Sequence, residues 1–409
     1  MGDAGPAGTL PGMITPRVVR EGARVTPLEL FFDLVFVYAI TQVTQLMAAD
    51  ASVHGVLRGL LLLAILWWCW CCYSWLGNRV RADDDGVRVV LFAAMAVMLV
   101  AAVAIPEAFD DLPGGLSGPL VFAACYVVVR VLHLVAYWRF SVGDVPLRRQ
   151  LAVTLAPMLS GSVLLVVAAF TSGATQTALW VAALVVDYGG VLVTGVSGWR
   201  VHSAVHFAER YGLIVLIALG ESIVAVGVGV ADLPVSWPIM FGIGCGLVVA
   251  AALWWAYFDV DAPLAERVLH QAAGAKRAAL ARDAFTYLHL PMIAGIVLSA
   301  LGLKKTMNYL AGADGHTASE HLHGVGPFAL FGGVLLFVLG HLGFRLRNLG
   351  TVNAVRVVVA VVLVAETPVA PLLPAWGALL LLTVTCVGWI AVEAVRHGQV
   401  RGEVRAEQH

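Results

Sequence analysis

The sequence predicts an all-α integral membrane protein of about twelve transmembrane helices, arranged as two parallel six-helix repeats. Three observations carry this expectation. Of the 409 residues, 60% are hydrophobic and 12% charged, with a mean hydropathy of +0.88. An average soluble domain is about 45–50% apolar and about 25% charged. The apolar residues gather into stretches of bilayer-spanning length, about 20 residues each. The basic residues collect on one side of the topology that results. This composition excludes a disordered chain and an ordinary soluble enzyme. A net charge of −1 predicts no nucleic-acid partner, and the lipid bilayer is the expected surrounding.

Residues 1–27 contain no apolar core of a signal peptide and are expected to form an unprocessed cytoplasmic tail. The expected spans are 28–49, 55–76, 87–105, 118–138, 150–170 and 176–197 in a first half, residues 28–200. A second half, residues 201–396, supplies 209–231, 238–258, 284–303, 325–345, 352–372 and 375–395. Residues 397–409 form a second cytoplasmic tail. The first span opens with Thr26-Pro27-Leu28-Glu29, a capping box with proline at the first helical position. The six cysteines, Cys69, Cys71, Cys72, Cys125, Cys245 and Cys386, all lie in apolar runs and predict packing residues, not disulfides.

With twelve spans, alternate loops share a side with both termini. All but four of the 25 Lys and Arg fall on that side, the exceptions being Arg58, Lys304, Lys305 and the intraspan Arg130. The positive-inside rule then makes both termini cytoplasmic, and three lysines against twenty-two arginines, with abundant Ala, Val and Gly, suggest a bacterial genome. The halves also share spacings. Gly118-Pro119, His133-Leu134 and Arg139 in span four match Gly326-Pro327, His341-Leu342 and Arg347 in span ten. Leu66-Trp67-Trp68 in span two matches Leu253-Trp254-Trp255 in span eight, and spans one and seven open on Glu29 and Glu209. An even number of spans per half gives both halves the same orientation.

An ionisable side chain inside a span costs roughly 2.5–3.5 kcal/mol on insertion scales, so each one is a candidate for function. Glu29 is explained equally well by capping. Asp33, one turn deeper on the same face, is not. In span seven, His202, His206 and Glu209 stand at i, i+4 and i+7, one stripe of a helix. That stripe suits a divalent metal or a proton-accepting chain, and equally a solvated face. Arg210 follows, and Glu221 lies near mid-membrane, where a structural pair with a residue such as Arg130 is the plain alternative. Arg130 and His133 share one face of span four. Tyr257 and Asp259 end span eight, and Asp283, Tyr287 and His289 begin span nine, while Asp187 lies inside span six. Most of these fall in the cytoplasmic half, which predicts a polar funnel narrowing from the cytoplasm toward mid-membrane.

The same residues resemble the bacterial low temperature requirement protein A family. The resemblance is carried by Pro27-Leu28-Glu29-Leu30-Phe31-Phe32-Asp33-Leu34-Val35-Phe36-Val37, by His206-Phe207-Ala208-Glu209-Arg210-Tyr211-Gly212 and by Leu219-Gly220-Glu221-Ser222. Trp254-Trp255-Ala256-Tyr257-Phe258 and His289-Leu290-Pro291-Met292 extend it. It implies a polytopic bacterial membrane protein and carries no catalytic assignment. A weaker similarity links Phe31-Phe32-Asp33-Leu34-Val35-Phe36 to the Phe-Ser-Asp signature of a potassium-channel family with six-span repeats. Phe32 stands where that signature has serine.

Three functions are compatible with these residues. A proton- or ion-coupled transporter would use Asp33 and Glu221, with His206 and Glu209 linking Glu221 to the cytoplasm. A membrane enzyme acting on a lipid or isoprenoid would use the His, Asp, Glu and Tyr cluster at one face. The chain carries no recognised nucleophile motif, nucleotide loop, HExxH box or cofactor signature, which weighs against the enzyme. A stress-adaptation protein without turnover is the third. The cargo or substrate, whether small molecule, ion or lipid, is not encoded in any motif.

Overall fold

A computed structural model describes residues 18–230 and 233–396. Most of the two expected tails, including Arg17, Arg401 and Arg405, lies outside the described residues. The fold is all-helical, with α1 (Pro27–Ala49), α2 (Val53–Arg79), α3 (Asp85–Val103), α4 (Gly118–Phe140), α5 (Val145–Ala168) and α6 (Gly173–Thr194) in the first half. The second half has α7 (Ala204–Val228), α8 (Trp237–Phe258), α9 (Asp261–Gln271), α10 (Gly274–Leu280), α11 (His289–Leu310), α12 (Gly326–Leu349), α13 (Ala354–Glu366) and α14 (Ala375–Arg396). Eleven helical runs among the described residues are long and apolar enough to cross a membrane. A bilayer is therefore the environment of this fold.

Local chemistry sets the boundaries. Thr26 accepts from the Glu29 N–H while the Glu29 carboxylate reaches back to Thr26, completing the capping box, and Pro27 starts α1. Ser52, Asp144, Ser203 and Asn353 cap α2, α5, α7 and α13 with their side chains. Two segments differ from expectation. The stretch 352–372 is not one continuous span. It is the 13-residue α13, which stops at Glu366, then a short 3₁₀ turn, Ala370–Leu372. Pro368 has no N–H to continue the helix ladder, so the helix ends there. The gap at 259–283 is not loop. It folds into α9 and α10 on the basic face, and α10 runs through a π-helix, Ala281–Tyr287, into α11.

Neighbours in the first half have counterparts in the second. α1 packs on α2 and α3, as α7 packs on α8 and α11. α3 packs on α4, α4 on α5 and α5 on α6. Likewise α11 packs on α12, α12 on α13 and α13 on α14. The halves meet where α1 touches α7 and α11. The closest helix pair is α11 and α12. A Cβ on Gly302 would stand 2.3 Å from the Leu330 nitrogen, and one on Gly333 would stand 2.3 Å from the Ser299 nitrogen. Small residues let these two backbones touch, as is common between membrane helices. All six cysteines are free thiols.

Candidate functional site

The interface between α1 and α7 holds a buried charged array. Its position follows from the helical period: Glu29 and Asp33 are one turn apart on α1, and His206 and Arg210 are one turn apart on α7. Glu29 Oε1 lies 2.9 Å from His206 Nε2 and 3.3 Å from an Arg210 guanidinium nitrogen. Arg210 also donates to Asp33 Oδ1 at 2.8 Å. Trp70 of α2 donates its indole N–H to the same Asp33 oxygen at 2.8 Å, and the Arg210 guanidinium lies 5.6 Å from the Trp70 ring centroid. All four ionisable side chains are at most 3% exposed. Asn78 of α2 holds His206 in place, with its amide nitrogen 3.2 Å from Nδ1. Its amide oxygen accepts from the His202 N–H at 2.7 Å. Among the side-chain atoms of this array, Asp33 Oδ2 and Arg210 Nε have no hydrogen-bond partner.

Above the array, on the basic face, lies a cavity of about 790 Å³ whose floor includes Glu29, His206 and Gly77. Arg20, Arg24 and Arg81 line it from the outer side. A Cβ at Gly77 would sit 2.5 Å from Glu29 Oε1. The segment before α1 crosses this region as a strap. Val19 donates its N–H to Arg79 O at 3.1 Å, and Val25 donates to Glu209 Oε2 at 3.0 Å. Glu21 accepts from the Ala204 N–H at 2.9 Å and from Arg277 at 2.6 Å, and lies 3.4 Å from His270. Burial pulls the Glu21 carboxyl upward. The Ala204 N–H, Arg277 and His270 outweigh it and hold the group below the usual carboxylate range.

Glu221 sits deeper on α7 and faces α1, where Thr41 Oγ1 donates to it at 2.7 Å. Between the two levels the helices present buried Phe36, Ile40, Ile214 and Ala218. The alternative, a structural pair of Glu221 with a basic residue such as Arg130, does not form. Arg210 is taken by Glu29 and Asp33, and Arg130 by Asp187 of α6 at 2.9 Å. Tyr126 donates to the other oxygen of Asp187.

The predicted stripe of His202, His206 and Glu209 does not assemble. α7 starts at Ala204 with Ser203 as its cap, so His202 precedes the helix and the i, i+4 relation fails. Burial and the neighbouring Arg79 hold the His202 imidazole below its ordinary range. Glu209 turns to the strap, while His206 turns to Glu29. Among the described residues no group of three or more His, Cys, Asp and Glu is placed to hold a metal ion. Tyr257 and His289 meet at 2.8 Å, and Tyr287 donates to Tyr188 O at 2.7 Å. His133 is packed between the rings of Tyr73 and Tyr137. Asp259 ends α8 beside Arg345 and Arg356, and Asp283 pairs with Arg282 and Arg347. The residues expected in one funnel are thus divided among separate buried clusters. The α1–α7 array lies under the 790 Å³ cavity.

One cluster lies outside the sequence candidates. Asp261 of α9 pairs with Arg345, Arg356 and His341, and Arg356 also holds Glu393 of α14 at 2.8 Å. Asn353 donates to the same Glu393 oxygen at 2.8 Å. The repeated spacing around His341 was the one hint.

Residues 24–391 match the family described as Bacterial low temperature requirement A protein (LtrA). The chain belongs to this family. It is also 30% identical, over 327 residues, to the uncharacterized protein RA0937 of Rhizobium meliloti (strain 1021), covering 76% of this chain and 75% of that one. No solved structure matches the chain.

Proposed function

We propose that this polytopic member of the low temperature requirement A family moves protons, or another cation in exchange for them, along the α1–α7 interface. The observation that supports this is the charge of the buried array. Glu29 and Asp33 face a single guanidinium, Arg210, together with the imidazole of His206. One negative charge is in excess unless His206 or a carboxyl holds a proton. An uncompensated charge at this depth is strongly disfavoured, so the closed state binds that proton. Releasing it requires water or a partner cation to reach the array, and the 790 Å³ cavity above Glu29 and His206 is the route.

Residues 28–200 and 201–396 are read as two repeats of one orientation, with α1 and α7 as equivalent first helices. The matching packing order supports this. Transport sites in such proteins lie at the repeat interface near mid-membrane, which is where Glu221 meets Thr41. The apolar layer between Asp33 and Glu221 closes the path, so conduction requires α1 and α7 to part. The basic face is assigned to the cytoplasm of a bacterial inner membrane on the distribution of Lys and Arg. A cysteine introduced by Arg24→Cys is then expected to react with an impermeant reagent in inside-out vesicles and not in right-side-out ones.

The transport reading is tested in proteoliposomes with an internal pH-sensitive dye. Wild type is expected to carry protons under an imposed gradient, and Asp33→Asn and Glu221→Gln are expected not to. No flux from wild type under either polarity, or full flux in both variants, overturns it.

A further inference from the structure

A second cavity, away from the α1–α7 interface, lies among α2, α4, α5, α6 and the π-helix before α11. Its volume is about 80 Å³. Trp68, Trp75 and Trp199, with Leu151 and Met158, give it an aromatic and aliphatic wall. Arg130 and His133 of α4 line the same space. Both are more than nine-tenths buried, at 3% and 7% exposure. Each keeps one nitrogen without a hydrogen-bond partner, Arg130 Nε and His133 Nε2. An unsatisfied buried polar atom is unfavourable, and both of these belong to residues on the cavity wall. They are what a bound polar head would satisfy.

The geometry points to a binding site for a hydroxyl-headed apolar molecule, of the long-chain or prenyl alcohol type. Both guanidiniums on the cavity wall are already paired, Arg130 with Asp187 at 2.9 Å and Arg282 with Asp283 at 2.7 Å. The site is therefore not built for an anionic head group, whose charge would be left over. A hydroxyl oxygen accepts from Arg130 Nε–H. Whichever tautomer His133 adopts, a hydroxyl can donate to Nε2 or accept from it. The volume of 80 Å³ is a few times the roughly 30 Å³ that one water molecule takes in the liquid. It accommodates the head and the first carbons of a chain. Leu134, Val191 and Val196 on the cavity wall are only half-buried, which leaves a lateral way out for the remainder of the chain. The proposal is independent of proton movement at the α1–α7 array.

Three of the twelve tryptophans line the cavity, so occupancy has an optical readout. The probe is a long-chain alcohol with bromine a few carbons from its hydroxyl, added to purified full-length protein in detergent. The bromoalkane of the same length serves as the headless control. Wild type is expected to show saturable fluorescence quenching by the alcohol and only non-saturable quenching by the bromoalkane. His133→Phe removes the partner of the head and is expected to weaken binding about tenfold. Thr154→Phe fills the cavity from a half-buried position and is expected to abolish saturation. Thr154→Phe decides the matter should His133→Phe fail to fold. Equal saturable quenching by the headless bromide, or wild-type affinity in Thr154→Phe, overturns the proposal.

Discussion

The Glu221 carboxylate of α7 accepts a hydrogen bond from the Thr41 hydroxyl of α1 at 2.7 Å, joining the first helices of the two halves. A glutamine keeps a carbonyl oxygen there. Glu221→Gln is therefore expected to insert normally and to change stability by less than about 1 kcal/mol. It should nonetheless lose proton flux. Thermal denaturation of the detergent-purified variant, read beside its flux, checks both halves of the statement. A variant that is both poorly folded and inactive would count against Glu221 as a transport group.

Among the described residues, Arg210 is the one guanidinium serving Glu29 and Asp33. Arg210→Met is expected to destabilise the fold by about 3–5 kcal/mol, the range for removing one partner of a buried pair. Adding Asp33→Asn to it removes one of the stranded charges and should recover a substantial part of the loss. Folded yield and melting temperature of the single and double variants test this. Equal stability of Arg210→Met and wild type would show that the array is solvated.

Gly77 separates positioning from folding. A methyl group there meets the end of a side chain, Glu29 Oε1 at 2.5 Å, and not backbone. Gly77→Ala is expected to push Glu29 away from His206 at a stability cost of about 1–3 kcal/mol and to reduce proton flux. The histidine ring resonances, followed by NMR, should shift in this variant. An unchanged His206 signal would mean that the wall yields instead of Glu29.

The strap has a pH signature. The Glu21 carboxyl is held below its unfolded value, so its contribution is complete above the ordinary carboxylate pKa of about 4.3. It is lost as the pH falls through the lower folded value. Hydrogen exchange at the Val19 and Val25 amides, corrected for intrinsic rates, is expected to accelerate at acid pH. Glu21→Gln should show the faster exchange already at neutral pH. Wild-type protection in that variant would place the anchor elsewhere, in Val19 and Val25 alone.

Arg356 bridges Asp261 and Glu393 and so ties α9 and α14 through α13. Arg356→Met leaves two buried carboxylates without their shared cation. A loss of about 3–5 kcal/mol is expected, with no change in the proton stoichiometry of the molecules that fold. Altered stoichiometry in the folded fraction would bring this cluster into the transport path.

The helices were legible in the sequence because apolar runs of membrane length have one stable backbone solution. Asp33, His206 and Arg210 were legible because uncapped polar groups inside such runs require partners. Glu29 was legible only in part. Capping explains one carboxylate oxygen, and the other, on His206, is a contact across 177 residues that no local pattern encodes. His202 falls outside the stripe for a local reason, the helix beginning two residues later than the stripe requires, whereas Glu209 is drawn to the distant Val25 N–H. Asp261 and Arg356 give little signal because each lies near a helix end, where a charged group costs little. Their burial comes from α9, whose amphipathic run was read as a connecting gap.

The interlocked glycines of α11 and α12 have a mechanical consequence. Leu330 and Ser299 are seated where even a methyl group on the facing helix would collide with backbone. Neither helix can slide along the other without that collision, so the pair behaves as a single stiff beam. Any opening stroke must then pivot at the softer joint, where α1 leans on α7 through long side chains instead of bare backbone. The stiffest seam and the protonatable seam both use α7 or its neighbour α11. On the transport reading, a proton arriving at Glu29 or His206 would act at this looser joint and not at the glycine-locked pair.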